Sequence, residues 1–119
     1  MNLSKRDELT GRLLDFAVRI IKLVNTLPKT AVGKHLSGQL LRSGTSPGAN
    51  YEEACGAESR ADFVHKLGIV LKELKESRFW LRVVDRMEIL TPQRVEPLIQ
   101  ECEGLCAIIA KSIVTARKK

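Results

Sequence analysis

Residues 39–84 read QLLRSGTSPGANYEEACGAESRADFVHKLGIVLKELKESRFWLRVV, and this stretch decides the fold. In its second half Phe63, Leu67, Val70, Leu74, Ser77, Leu81 and Val84 recur at alternating spacings of four and three. That repeat lays one apolar seam along a helix. Ser59 is placed to cap this helix, with Asp62 where a capping box has Glu or Gln, and the helix is expected to reach about Met87. The first half is different. Arg42, Ser43, Ser46, Asn50, Glu52 and Glu53 crowd polar and small residues together. Two readings are open at Ser43 to Gly48. One is a loop between separate helices. The other is a single helix interrupted or kinked at Pro47, with Ser46 as a local cap and Pro47 in the first turn. The second is favoured, because Ala49 to Cys55 is again helix-compatible and Gly56 then ends the element.

Outward from this stretch the pattern repeats. Leu9, Leu13, Phe16, Ile20, Leu23 and Leu27 predict a first helix over 4–27, capped by Ser4 and stopped by Pro28. Leu14, Ala17, Ile21 and Val24 form a second apolar stripe beside the first, so this helix is expected to touch more than one neighbour. A second helix begins near Thr30 or Ala31. Thr91-Pro92 opens the last helix, whose seam is Val95, Ile99, Cys102, Cys106, Ile109 and Ile113, and Arg117-Lys118-Lys119 should be a frayed basic tail. No strand pattern competes. The expectation is an all-α chain, an antiparallel four-helix bundle forming a single domain over 1–119.

Composition agrees with that class. At 44% hydrophobic and 4% aromatic residues, Leu, Ile, Val and Ala must fill the core of this 119-residue chain. The formal charge of +6 favours an anionic partner without requiring one. Cys55, Cys102 and Cys106 form no CxxC motif, which suggests reduced thiols and a cytoplasmic location. The first residues carry acids and no uninterrupted apolar run, so no secretory signal is expected. No apolar run approaches the ~18 residues of a membrane helix, so no membrane partner is expected.

Three constellations could carry function. Arg42, Asn50, Glu53, Glu73 and Glu76 could do acid/base work, but no nucleophile, histidine pair or phosphate loop accompanies them. They read better as a structural polar network, with Arg42 at least partly buried against a carboxylate. Cys102 and Cys106, one turn apart on an apolar seam, read as core rather than as half a metal site. His35 and His65 read as surface or boundary residues. Lys75, Arg78, Arg82 and Arg86 form a basic ridge on the third helix, and Lys5, Arg12, Arg19 and Lys22 form another on the first. Such ridges suit phosphates, or they are simply a solvated face balanced by acids. Phe79 and Trp80 could stack on bases, but core or a subunit interface is the more usual role at this spacing.

The residues Gln39, Arg42, Ser43, Ser46, Asn50 and Glu53, followed by Phe63 and Leu67 and then Lys72, Glu73, Glu76, Trp80 and Leu81, carry a resemblance. The chain resembles the bacterial four-helix-bundle family named for proteins encoded in intervening sequences of large-subunit rRNA genes. It is similar also to the accessory variability determinant of diversity-generating retroelements. Ala54 departs from the pattern, many relatives having glycine there. The resemblance implies a four-helix protomer assembled into a homopentameric ring. The accessory determinant binds nucleic acid and a reverse transcriptase through basic surfaces, whereas most other members have no established function. The resulting expectation is a non-enzymatic homo-oligomer, without cofactor or metal, that binds RNA or DNA electrostatically as an accessory to an enzyme such as a reverse transcriptase. The alternative is a structural or protein-interaction scaffold.

Overall fold

A computed structural model describes residues 4–118; Met1 to Leu3 and Lys119, the last residue of the expected basic tail, lie outside the described residues. Four helices follow in order: α1 Lys5–Val24, α2 Ala31–Cys55, α3 Arg60–Arg86 and α4 Pro92–Lys118. The described residues contain no strand.

Each start has a local cause. The Ser4 hydroxyl accepts from Asp7 N at 3.1 Å, Thr30 from Gly33 N at 3.0 Å and Ser59 from Asp62 N at 3.1 Å. Each satisfies one of the amide donors a helix start leaves without a partner. Pro92 takes the first position of α4, where its missing N–H costs nothing. Helix α1 stops at Val24, three residues short of the expected end. Thr26 N and Leu27 N bond back three residues, to Leu23 O and Val24 O, so a tight last turn replaces α geometry before Pro28. The expected frayed tail is instead helical as far as Lys118.

Helix α2 passes through Pro47 without a break. The loop reading is thereby excluded, and Ser46 is not a cap: its hydroxyl is buried with no hydrogen-bond partner. Proline has no N–H for the carbonyl four residues back. The neighbouring hydroxyls bond within the helix, Ser43 Oγ to Gln39 O at 2.8 Å and Thr45 Oγ1 to Leu41 O at 2.6 Å.

The helices run up and down. Ser77 Oγ donates to Ser43 Oγ across α2 and α3 at 3.1 Å, and Cys102 Sγ donates to Leu74 O across α3 and α4 at 3.0 Å. Arg12 on α1 reaches Glu101 on α4. Leu13, Phe16, Ile20, Leu40, Leu67, Leu74, Leu81 and Ile109 are wholly buried between the helices. Burial of such a side chain is worth about 1.5–3 kcal/mol. In α4 the seam differs in part from expectation: Ile99 is half-buried, and Leu98 and Leu105 are buried beside Cys102 and Cys106. Helix α1 lies close on α2 at Gly44, where a Cβ would stand 2.7 Å from Ile20 Cγ1; at Gly48 a Cβ would meet Leu13 Cβ at 3.6 Å, an ordinary contact.

The second stripe of α1 is split: Ala17 is half-buried and Val24 packs against the core, while Leu14 and Ile21 stay outside it. Leu14 is 62% exposed, and Val18 and Ile21 are exposed with it. Leu41, one turn before Gly44 on α2, is exposed on the same flank. On the α2/α3 flank, Val32, Phe79 and Met87 are exposed, Phe79 at 58%.

Candidate functional site

Arg42 lies on the outer α2/α3 seam, and the seam places carboxylates around it. Its Nη1 donates to Glu73 Oε2 at 3.1 Å, and its Nη2 donates to Gln39 Oε1 at 3.0 Å and to Glu76 Oε2. Trp80 Nε1 donates to the same Glu76 oxygen at 3.1 Å. The Trp80 ring meets His35 edge-on at 5.7 Å and Phe79 at 5.0 Å. Glu73 and Glu76 reach one guanidinium because residues three apart share a helix face. The Glu76 carboxyl is held below its usual range, first by the Trp80 N–H and then by Arg42.

The expected pairing of Arg42 with a carboxylate is present, on Glu73 and Glu76, with the side chain half in water at 50% exposed. The membership of the network needs correction. Asn50 and Glu53 do not join it; Asn50 is half-buried and Glu53 exposed. At ~1.5 Å rise per residue they sit roughly 12 and 16 Å along α2 from Arg42, beyond its reach. What remains is a clamp joining α2 to α3. A general acid wants a carboxyl poised near working pH, and Glu76 is moved the other way.

The two basic ridges flank α4 from opposite sides. On the α1 side, Arg12 donates to Glu101 through Nε at 3.1 Å and Nη2 at 2.7 Å. This paired bond raises the Arg12 pKa, so Arg12 is a committed partner rather than a free cation of the ridge. Further along, Arg19 and Lys22 border a hollow of about 310 Å³ with Arg94 and Pro97 of α4. On the α3 side, Lys75 and Arg78 lie near the α4 cysteines. The Cys106 thiol is lowered, first by the neighbouring Cys102 and then, against burial, by Arg78 and Lys75. Arg82 and Arg86 continue the same edge of α3, both exposed, whereas Arg78 is half-buried. The α1–α4–α3 face thus gathers both ridges with Arg94 and Lys111 of α4; the acids Glu96, Glu101 and Glu103 of α4 interrupt it.

Cys102 is wholly buried and held above its usual range by Cys106 and by burial, as a core thiol would be. Among the described residues no three of His, Cys, Asp and Glu come together as metal ligands do. His35 and His65 are exposed. Sequence reasoning missed Glu101, which lies 89 residues from Arg12 with no periodic relation to it.

The fold and these surfaces define a class: a basic four-helix bundle whose charge gathers on one face and whose outer seam is clamped by an arginine between two glutamates. The chain belongs to the 23S rRNA-intervening sequence protein family, whose pattern matches residues 8–111. Its structure is similar to that of a protein of unknown function from the S23 ribosomal protein family of Bacteroides thetaiotaomicron, with 38% identity and a TM-score of 0.80. That match covers 88% of this chain and 97% of the other. No curated protein matches the chain. Among the described residues no helix is long and apolar enough to cross a membrane.

Proposed function

We propose that this chain is a non-enzymatic, cytoplasmic protein that assembles into a homopentameric ring and binds RNA or DNA through its α1–α4–α3 face, as an accessory to an enzyme such as a reverse transcriptase. The observation that carries the reading is the convergence of two basic ridges, far apart in sequence, on the flanks of one helix. Phosphate contacts by lysine and arginine give affinity without sequence preference. The family name, with its reference to rRNA genes, is in keeping with this. A ring is favoured because the exposed apolar residues form two unlike patches, Leu14, Val18, Ile21 and Leu41 on one flank and Val32, Phe79 and Met87 on another. Unlike patches that meet head to tail build a ring when the rotation between neighbours closes, and the closed form is the one the resemblance implies. A bend of α2 at Pro47 belongs to the same reading, since it shapes the flank between the patches. Repetition of the basic face around a ring turns weak contacts into strong binding through effective concentration.

The test is binding of mixed-sequence RNA and DNA oligonucleotides across a salt series, with oligomer size measured on the same samples. Affinity should fall steeply as salt rises. Arg78→Glu with Arg82→Glu should abolish binding and leave the oligomer intact. Because Arg78 is half-buried, Lys75→Glu with Arg82→Glu, both at exposed positions, gives a second variant with the same expected loss. Absence of wild-type binding at low salt, where surface charge acts most strongly, rejects the reading and leaves the scaffold alternative.

A further inference from the structure

Where α1 begins and α4 ends, the bundle holds a cleft of about 830 Å³, floored by the end of α2 and the start of α3. Small-molecule sites commonly span ~300–1,000 Å³, with an apolar lining and a few convergent polar groups. This cleft has that make-up. Leu9, Ala54, Phe63 and Ile108 supply apolar surface, and Tyr51 and Phe63 bring two of the five aromatic rings of a chain that has three Phe, one Trp and one Tyr. The rim carries Lys5, Arg6, Arg60 and Lys111, with Glu8 as the one carboxylate lining it. Arg12 also lines the cleft, but Glu101 holds it. Among the described residues none of the other four cations makes an ion pair. The charge therefore selects an anion.

The floor narrows the class. Inorganic phosphate would leave the apolar surface uncovered. A purely aliphatic anion would make no use of the hydroxyls of Tyr51, Ser112 and Thr115, which also line the cleft. The Tyr51 hydroxyl, pushed up to about 12 by burial and then by Cys55, is protonated at neutral pH as any tyrosine is. Ser112 donates to Ile108 O at 3.0 Å, which leaves its lone pairs to accept. A flat heterocycle with polar edges and a phosphate at the other end meets all of these groups.

We propose that the cleft binds a nucleoside phosphomonoester, with the base against Phe63 and the phosphate among Arg6, Arg60 and Lys111. The phosphomonoester could be a free nucleotide or the 5′-phosphorylated end of a strand; the chemistry is shared. The site does not rest on strand binding by the ridges, because Arg78 and Arg82 are not among its lining residues.

Calorimetric titration with AMP, adenosine and inorganic phosphate tests it. AMP should bind saturably, and adenosine at least about tenfold more weakly, the loss expected for one charged contact. Arg6→Ala with Lys111→Ala should weaken AMP by a similar factor; both positions are exposed, so the fold should persist, as circular dichroism would verify. Phe63→Leu keeps an apolar side chain without the ring and should weaken AMP while leaving phosphate unchanged. Arg78→Glu with Arg82→Glu should leave AMP binding intact, which separates this site from the ridges. Given AMP binding, a preference for a 5′-phosphorylated over a 5′-hydroxyl oligonucleotide assigns strand ends as the source, and equal binding assigns the free nucleotide. No binding of AMP, equal binding of adenosine, or AMP binding unchanged in the Arg6/Lys111 variant overturns the proposal.

Discussion

At the scale of single residues, Arg42 shows how exposure sets the energy of a charge. Removing one partner of a buried pair costs about 3–5 kcal/mol, because the other charge is stranded. Arg42 stands half in water, so Glu73 and Glu76 would be rehydrated when it is lost. Exposed pairs are worth about 0.2–1 kcal/mol, and Arg42→Ala should therefore lower stability by about 1 kcal/mol in a urea titration. The pH dependence has a definite sign. Glu76 has a lowered pKa in the fold, so its contribution is present above the unfolded value, near pH 4.3, and fades as pH falls through the folded value. The gap between wild type and Arg42→Ala should shrink below that pH. A gap that persists at pH 2 would show that Arg42 acts through packing alone. The Arg42 carboxylate partners were legible because three-residue spacing puts Glu73 and Glu76 on one face. The exclusion of Asn50 and Glu53 follows from helical rise, which applies only once α2 is known to continue through Pro47.

At the scale of helices, the seams of α1 and α3 and part of that of α4 could be read from spacing, since a stripe repeated every three and four residues favours one buried face; α2, broken by its small and polar residues, offered no such stripe. Leu67, Val70, Leu74, Leu81 and Val84 are buried as that spacing requires. Backbone detail was less legible. Glu88 sits at φ 55° after α3, in the left-handed region usually given to glycine, and nothing in its chemistry announces this. The continuity of α2 depended on packing, because a proline stop signal is overridden when Pro47 is buried against neighbouring helices. The same helix makes the sharpest test at this scale. A methyl group at Gly44 would come within 2.8 Å of both γ-carbons of Ile20, closer than any van der Waals contact. Gly44→Ala should cost about 1–3 kcal/mol by overpacking, although alanine is the better helix former. Gly38→Ala, with open space around the added carbon, should be neutral or stabilising in the same thermal melt.

At the scale of the whole molecule, the described chain measures 47 × 30 × 19 Å, a slender body with much apolar surface left outside. Exposed patches of that kind usually mark interfaces. Light scattering at micromolar concentration should report a pentamer. Leu14→Glu and Phe79→Glu, one in each patch, should each reduce it to smaller species without loss of helical circular dichroism. A wild-type monomer would reject the assembly. The amphipathic first helix suggested this surplus, because its second stripe exceeds what one protomer buries. The cleft between α1 and α4 was not legible, since its lining comes from all four helices and no short stretch contains it.

Arg12 belongs to that cleft and also joins α1 to α4 through Glu101. One guanidinium therefore acts as both wall and latch. An occupant that recruits Arg12 must draw it from Glu101, and the anchoring of α1 weakens by the amount that recruitment demands. For an occupant of that kind, thermodynamic reciprocity couples the two: a firmer latch makes a poorer host, and recruitment of Arg12 makes a looser first helix; an occupant held by Arg6, Arg60 and Lys111 alone leaves the latch closed.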